Sequence, residues 1–350
     1  MNIQQLLDLT VQRNASDLHL SVGFPPTLRI HGDLIPVAGE VPSTPEQIES
    51  LVTQLLSPLQ RNIYQQSIEL DFSFEFEGKA RFRANVYRQK GFPAVALRLI
   101  PYQIPPLESL GLPSVVGKLT DLKQGFILVT GPTGHGKSTT LASMINKINQ
   151  ERSLHIITVE DPIEYVYPKG KSFIEQREMY KDTRSWGNAL RSVLREDPDV
   201  VLIGEMRDLE TISSAMTIAE TGHLVLATLH TNSAAQSFDR IIDVFPEIQQ
   251  PQIRLQLAST LEAIISLRLI PTIAPGRALA SEILFATPAV RNIIREGKTY
   301  LTDNLIETSA EVGMQILERS LADLVKSGKI SAEIATRFAL RPDLLRKLIK

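Results

Sequence analysis

Gly131-Pro132-Thr133-Gly134-His135-Gly136-Lys137-Ser138-Thr139 fits the pattern G-x-x-x-x-G-K-[ST]. It follows an apolar run, Phe126–Val129, that reads as a strand, and it opens a helical pattern over 138–149. That strand–loop–helix context is what a phosphate cradle requires. The glycines let the backbone approach phosphate oxygens, and loop N–H groups with the helix N-terminus supply positive potential. Lys137 has the reach for the β- and γ-phosphates, and the Ser138 hydroxyl is a ligand for Mg²⁺. The stretch predicts an ATP site contacted along all nine residues and an α/β fold around it.

Three further apolar runs alternate with helical patterns on the C-terminal side: His155–Val159, Val200–Ile203 and Leu224–Ala227, with helices near 185–196 and 208–221. Such alternation implies a largely parallel sheet with helices on its faces. Each run ends in polar chemistry. The first leads into Glu160-Asp161-Pro162-Ile163-Glu164, the second into Gly204-Glu205-Met206-Arg207-Asp208, the third into His230. In a parallel sheet these ends share one rim with the phosphate loop, the rim where ligands bind. Phosphoryl transfer needs charge neutralisation, a metal ion and an oriented water. Glu205 is the candidate for handling the water and the metal shell, and Glu164 is the second candidate for either role. Asp161 fits a turn cap equally well. His230 is placed to sense the γ-phosphate. His223 fits either a functional role or the end of the helix before it.

The N-terminal part has a different texture. Residues 3–13 carry apolar positions at helical spacing, 27–37 read as a hairpin, and 44–56 read as a helix with Pro45 in its first turn. The strongest β signal is Ile68 to Arg88, with a turn at Glu77-Gly78. Ala80, Phe82, Ala84 and Val86 fall on one face, and Arg81, Arg83, Asn85 and Tyr87 on the other. A third strand, Ala94 to Ile100, follows. Pro101, Pro105, Pro106 and Pro113 then punctuate a stretch that predicts a linker without regular structure. From Pro288 onward the tail reads as helix, with Thr287 as cap.

Composition narrows the classes. The 350 residues suit about two domains. There is no cysteine, which excludes a disulfide framework, a thiol nucleophile and cysteine-ligated metal. Net charge is −2; 9 basic and 11 acidic residues precede Val116, leaving 28 of each from the totals of 37 and 39. Neither part has the basic excess of a dedicated nucleic-acid binder. Asp8 and Arg13 interrupt the first apolar residues, so no secretory signal is expected there. No uncharged apolar run approaches the roughly 20 residues that span a bilayer.

Taken together, these motifs resemble the hexameric secretion and type IV pilus ATPases. The Walker A of that family matches Gly131–Thr139, its acidic box Glu160–Glu164, its atypical Walker B Gly204–Asp208, and its histidine box Thr221-Gly222-His223 through His230-Thr231-Asn232. The runs Ala15–Leu20 and Asn188–Asp199 match as well. Ala289-Val290-Arg291-Asn292-Ile293-Ile294-Arg295-Glu296 resembles the retraction motif A-I-R-N-L-I-R-E, and Gly313–Leu321 the segment after it. His135 departs from the pattern, where a small residue is usual.

The resemblance implies a PAS-like α+β domain over 1–100, a linker over 101–117, a RecA-like ATPase core over 118–285 and a helical region over 286–350. It implies ATP and Mg²⁺ as cofactors, with Ser138, Glu205 and Glu164 around the metal. Arg83 and Arg98, and less clearly Arg81, would approach the phosphates. The implied assembly is a homohexamer docked on the inner-membrane pilus platform protein from the cytoplasmic side, powering pilus retraction, with the linker as hinge. Alternative readings are an accessory retraction paralogue, or a pilus-assembly or type II secretion ATPase. Relatives of the latter kind usually carry a tetracysteine zinc element that this chain lacks. A nucleotide-gated switch and a nucleic-acid translocase are the rivals from other classes.

Overall fold

The computed structural model describes residues 1–30, 32–100 and 103–350. The chain divides into two compact units, Met1–Gln103 with Pro162–Val166, and Ile104–Asp161 with Tyr167–Lys350.

The first unit runs α1 (Ile3–Gln12), β1 (Asp17–Ser21), β2 (Thr27–Ile30), β3 (Asp33–Pro36), α2 (Pro45–Leu55), α3 (Pro58–Ser67), β4 (Leu70–Phe76), β5 (Ala80–Gln89) and β6 (Phe92–Ile100). Its helices begin at capping boxes: Asn2, Thr44 and Ser57 accept from the backbone three residues on, where Gln5, Gln47 and Gln60 reply. The strands form one antiparallel sheet in the order β3-β2-β1-β6-β5-β4. Along β5 burial alternates, so Phe82, Ala84 and Val86 enter a core with Leu18, Leu20, Leu97 and the apolar sides of α1 and α2. The arginines of β5 stay on the opposite face.

In the second unit come β7 (Gly125–Thr130), α4 (Lys137–Glu151), β8 (His155–Glu160), β9 (Phe173–Glu178), α5 (Trp186–Val193), β10 (Val200–Ile203), α6 (Leu209–Glu220), β11 (Leu224–Leu229), α7 (Ala234–Asp243), α8 (Gln250–Thr260), β12 (Leu261–Pro271) and β13 (Arg277–Phe285). Helices α9 (Pro288–Glu296), α10 (Thr302–Thr308), α11 (Leu317–Lys326), α12 (Ala332–Phe338) and α13 (Pro342–Ile349) complete it. The sheet order is β13-β12-β7-β11-β10-β8-β9, parallel throughout except for the β12–β13 pair. Strands β7, β10 and β11 are buried along their whole length, as a sheet covered on both faces demands.

Three differences from the sequence reading stand out. The core sheet has β9, β12 and β13 beyond the four strands expected. Helix α3 was not anticipated. The proline-rich stretch is not structureless, since short 3₁₀ turns form at Leu107–Leu110 and Ser114–Asp121. Leu107 and Val116 are buried beside Leu141, Met144 and Ile145 of α4, and the Ser143 hydroxyl donates to the Pro105 carbonyl at 2.7 Å. Apolar residues between the prolines thus dock the stretch onto the second unit from Ile104 on. Pro101 lies outside the described residues.

Candidate active site

The phosphate loop leaves β7 at Thr130 and ends where Gly136, in a left-handed conformation at φ +90°, caps α4 with no side-chain bond. The first turn of a 15-residue helix is therefore left to donate N–H groups to an anion. Gly131 is required sterically: at φ +140° a Cβ would stand 2.6 Å from the Leu267 carbonyl oxygen. Thr133 and Gly134 form the exposed tip, whereas Lys137 is buried. Its ammonium donates to the carbonyls of Gly131 and Pro132 at 2.8 and 3.1 Å.

Parallel pairing of β7, β11, β10 and β8 brings their C-terminal ends to one rim. There Glu205 and His230 meet the loop lysine. His230 Nε2 lies 3.0 Å from Glu205 Oε1, and Nδ1 lies 3.4 Å from both the Lys137 ammonium and the Thr133 hydroxyl. The arrangement selects one tautomer: Nε2–H donates to the carboxylate, and the Nδ1 lone pair faces the lysine. Burial and then the charge of Lys137 lower the His230 pKa, against the opposing pull of Glu205. Burial pushes the Glu205 carboxyl up, but Arg207, His230 and Lys137 outweigh it and its pKa ends below the usual value. Arg207 supplies most of that, at 2.7 Å from both carboxylate oxygens. The result is a charge-alternating row, Lys137–His230–Glu205–Arg207, with a neutral imidazole between cation and anion.

Gly204, the glycine of the atypical Walker B, has a packing reason. Its N–H donates to the Val159 carbonyl at 2.8 Å, and a Cβ would meet that oxygen and Glu160 Cα at 3.2 Å. The neighbouring Glu160 is buried and accepts from the Thr158 hydroxyl at 2.6 Å. Ser138 is half-buried in the first turn of α4, and its hydroxyl has no protein hydrogen bond among the described residues.

Most other candidates belong to the first unit. Glu164 is half-buried in the Pro162–Val166 segment, which belongs to the first unit. It makes no ion pair among the described residues. Arg83 and Arg98 are direct cross-strand partners, and Arg98 in turn faces Asp17, which faces Arg29. Residues opposite one another share a face, so one row of the sheet carries three arginines and a single aspartate. Asp71 grips Arg83 through both carboxylate oxygens, at 2.5 Å for the shorter contact, and Asp17 takes Arg98 at 3.0 Å. Arg81 donates to the Ile163 carbonyl at 3.1 Å and to the Ser73 hydroxyl at 2.5 Å. His223 is a helix-end residue: its Nδ1–H reaches the Ile218 carbonyl of α6 at 2.9 Å.

Three comparisons extend this geometry. A family model described as type II/IV secretion system protein matches residues 93–295. The type IV pilus retraction ATPase PilT of Pseudomonas aeruginosa is 45% identical over 98% of this chain and 99% of its own length. The chain belongs to the type II/IV secretion system protein family. Within that family it is homologous to pilus ATPases over nearly its full length. A twitching motility protein of Neisseria gonorrhoeae is 48% identical over 90% of this chain and 84% of its own. The solved structure of the pilus retraction motor PilT with bound ADP superposes with a TM-score of 0.93 at 45% identity, covering 99% of both chains. The family match spans all four motifs read from the sequence.

Two residues of the site escaped sequence reading. Arg207 lies inside the Walker B stretch, but its grip on Glu205 depends on the turn after β10. Arg268 is buried at the far end of β12, where its guanidinium holds Asn232 of the histidine box at 2.7 Å. The available signal was an arginine interrupting the apolar run Leu267–Ile270.

Proposed function

We propose that this chain is a Mg²⁺-dependent ATP hydrolase acting as a homohexameric motor that powers type IV pilus retraction. The observation carrying the enzymatic half is the Lys137–His230–Glu205 row at the mouth of the phosphate loop. The named activity of its pilus relatives supports the other half. Lys137 neutralises charge on the terminal phosphates, and the ionised Glu205 orients the attacking water. His230 holds the Glu205 carboxylate through Nε2–H and reads the γ-phosphate region through the lysine. Among the described residues no cluster of three or more His, Asp or Glu would hold a metal alone. That suits Mg²⁺, which keeps most of its waters and binds through one or two protein groups and the phosphates. Ser138 would hold it directly and Glu205 through water, with Glu164 as a further candidate. Held there, Mg²⁺ would supply positive charge against the charge that develops on the phosphoryl group.

In this reading the first unit is the PAS-like domain of the family, and Arg83 and Arg98 are the cations it brings to the phosphates. The hinge of this proposal is Pro101–Pro113, of which residues 101 and 102 lie outside the described residues. The hexamer works against the pilus platform protein at the cytoplasmic face of the inner membrane. No helix among the described residues is long and apolar enough to cross a membrane. The retraction motif has two sides. Arg291 turns inward, donating to the Ala258 and Ser259 carbonyls that end α8 and to Glu262 at 2.8 Å. Asn292, Arg295 and Glu296 face outward. Substitutions at Asn292 and Arg295 should leave ATP turnover intact and impair pilus withdrawal. Deleting the gene and imaging pili in living cells tests the biological half. Hyperpiliated cells that cannot retract are expected, and normal retraction would exclude the motor role.

A further inference from the structure

The phosphate loop runs along an edge of β12 that no strand covers among the described residues. Strand β7 leaves β12 at the Thr130–Ser266 pair, while β12 continues to Pro271 with β13 on its other side only. The backbone groups of Leu267–Leu269 on the β7 side must find other partners. His135 provides one: its Nδ1 accepts the Leu269 N–H at 3.1 Å. An amide N–H needs a lone pair opposite it, so the ring is neutral with its proton on Nε2. Lys137 braces the loop from within, its ammonium donating to the Gly131 and Pro132 carbonyls.

We propose that His135 is a positioning residue: its neutral ring pins the phosphate loop to β12 through the Leu269 N–H, and protonation releases the pin. The inference rests on the reading of the loop as an ATP site. The charged groups facing the ring are Arg268 from β12, Lys137 from α4 and Arg277 from β13. All three are cations. Burial first, and then these charges, push the His135 pKa below its ordinary value of 6.5. The pin is therefore whole at neutral pH and is lost as pH falls below the ordinary histidine range. A loop held in its binding geometry has less ordering to lose when nucleotide arrives, so the pin acts on affinity.

The test compares wild type, His135→Ala and His135→Asn as full-length assembled protein. Asparagine Oδ1 stands the same number of bonds from the backbone as Nδ1, accepts a hydrogen bond and does not titrate. Mg-ADP affinity is measured by calorimetry at pH 7.5 and 5.5, with hydrogen exchange at Leu269 in the nucleotide-free protein. At pH 7.5 the alanine variant should bind about fivefold more weakly, and the asparagine variant within about twofold of wild type. Between the two pH values wild type should lose more affinity than His135→Asn, by a factor of about two to three, less than the fivefold of the full pin. ADP and His230 titrate alike in both proteins, so this ratio isolates His135. The Leu269 amide should be protected in wild type and His135→Asn and exposed to exchange in His135→Ala. Equal affinity and equal protection in all three would overturn the pin. Relative gain of wild-type affinity in acid would also overturn it, by showing that the ring serves as a cationic phosphate ligand. Failure of wild type to bind nucleotide at all would sink the ATP-site reading and the pin's role with it. The exchange pattern would still report the hydrogen bond.

Discussion

The two sheets of this molecule present charge in opposite ways. In the seven-stranded sheet, parallel pairing puts the C-terminal ends of β7, β8, β10 and β11 on one rim, where Lys137, Glu205 and His230 come within contact distance. In the six-stranded sheet, antiparallel pairing alternates the strand ends, and the charged residues gather instead in a cross-strand row on one face. A rim assembles groups far apart in sequence at a single point. A face spreads them along register lines, where Arg83 and Arg98 each meet a carboxylate of their own sheet. Arg83 and Arg98 stand directly opposite, an arrangement that repels unless neutralised, and Asp71 and Asp17 neutralise it. The rim is built to meet a ligand's charge; the face has already met its own.

The sharpest way to break that contrast is to remove rim groups. Lys137→Ala and Glu205→Gln should each lower ATP turnover by about a thousandfold or more, with unchanged unfolding midpoints. Steady-state phosphate release on assembled protein is the measurement. A Glu205→Gln variant with wild-type turnover would move water handling to another group, Glu164 first.

How much of this was readable beforehand follows the same division. The phosphate loop was legible because its residues are consecutive and its strand and helix flank it. The strand ends were legible because short buried runs imply parallel pairing, and parallel pairing implies a common rim. Glycine at 204 matched a motif, but its reason, the approach of Glu160 Cα, belongs to tertiary packing. Strand β12 was missed because eleven largely apolar residues directly after helix α8 fit a buried helix as well as a strand. Missing β12 hid Arg268 and the partner of His135, 134 residues away from it. Strand β9 is an edge strand with the polar sequence Phe-Ile-Glu-Gln-Arg-Glu and carries no hydrophobic signal. The alternation in β5 located the arginine face, but only the register reveals that Arg83 faces Arg98.

A second contrast concerns buried charge: among the described residues the antiparallel unit buries Asp17, while the parallel unit buries Lys137, Glu160, Glu178, Arg268, Glu282 and Glu318. Glu282 on β13 is buried and accepts the Ala234 N–H at the start of α7 at 2.7 Å, just beyond the histidine box. Burial, with Asp303 and Glu318, pushes its pKa up to about 7, against the Ala234 N–H and Arg341. The folded value lies above the unfolded one, so the neutral carboxyl favours folding. That contribution is whole below about pH 4.5 and is lost as pH rises through 7. Glu282→Gln keeps an acceptor without titrating. It should gain on the order of 3 kcal/mol of stability relative to wild type between pH 4.5 and 8, in the transition of the second unit. Denaturant unfolding at the two pH values is the check; a pH-independent difference would mean that Glu282 stays ionised in the fold.

A smaller effect tests the imidazole of the row. Its pKa is lowered, so His230 is neutral at pH 7 and its Nδ1 lone pair faces Lys137. Protonation turns that contact repulsive. In a His135→Asn background, kcat/KM should fall by less than about tenfold between pH 7.5 and 5.5, and His230→Gln should flatten that acid limb. An unchanged limb in His230→Gln would assign it to the nucleotide.

The smallest effect decides what the arginine face is for. The Arg83–Asp71 and Arg98–Asp17 pairs are partly exposed, so replacing either arginine with alanine should change stability by no more than about 1 kcal/mol. If the row is only a solvated sheet face, turnover should change as little. If Arg83 reaches phosphate, turnover should drop at least about tenfold while the unfolding midpoint stays still. Asp71→Asn separates the cases further. It removes the charge that grips Arg83 and leaves the guanidinium in place, so a phosphate-seeking arginine is released and KM for ATP should fall. A purely structural arginine would leave KM unmoved. Equal kinetics for Arg83→Ala, Asp71→Asn and wild type would confine catalysis to the rim and reduce the face to self-neutralised charge.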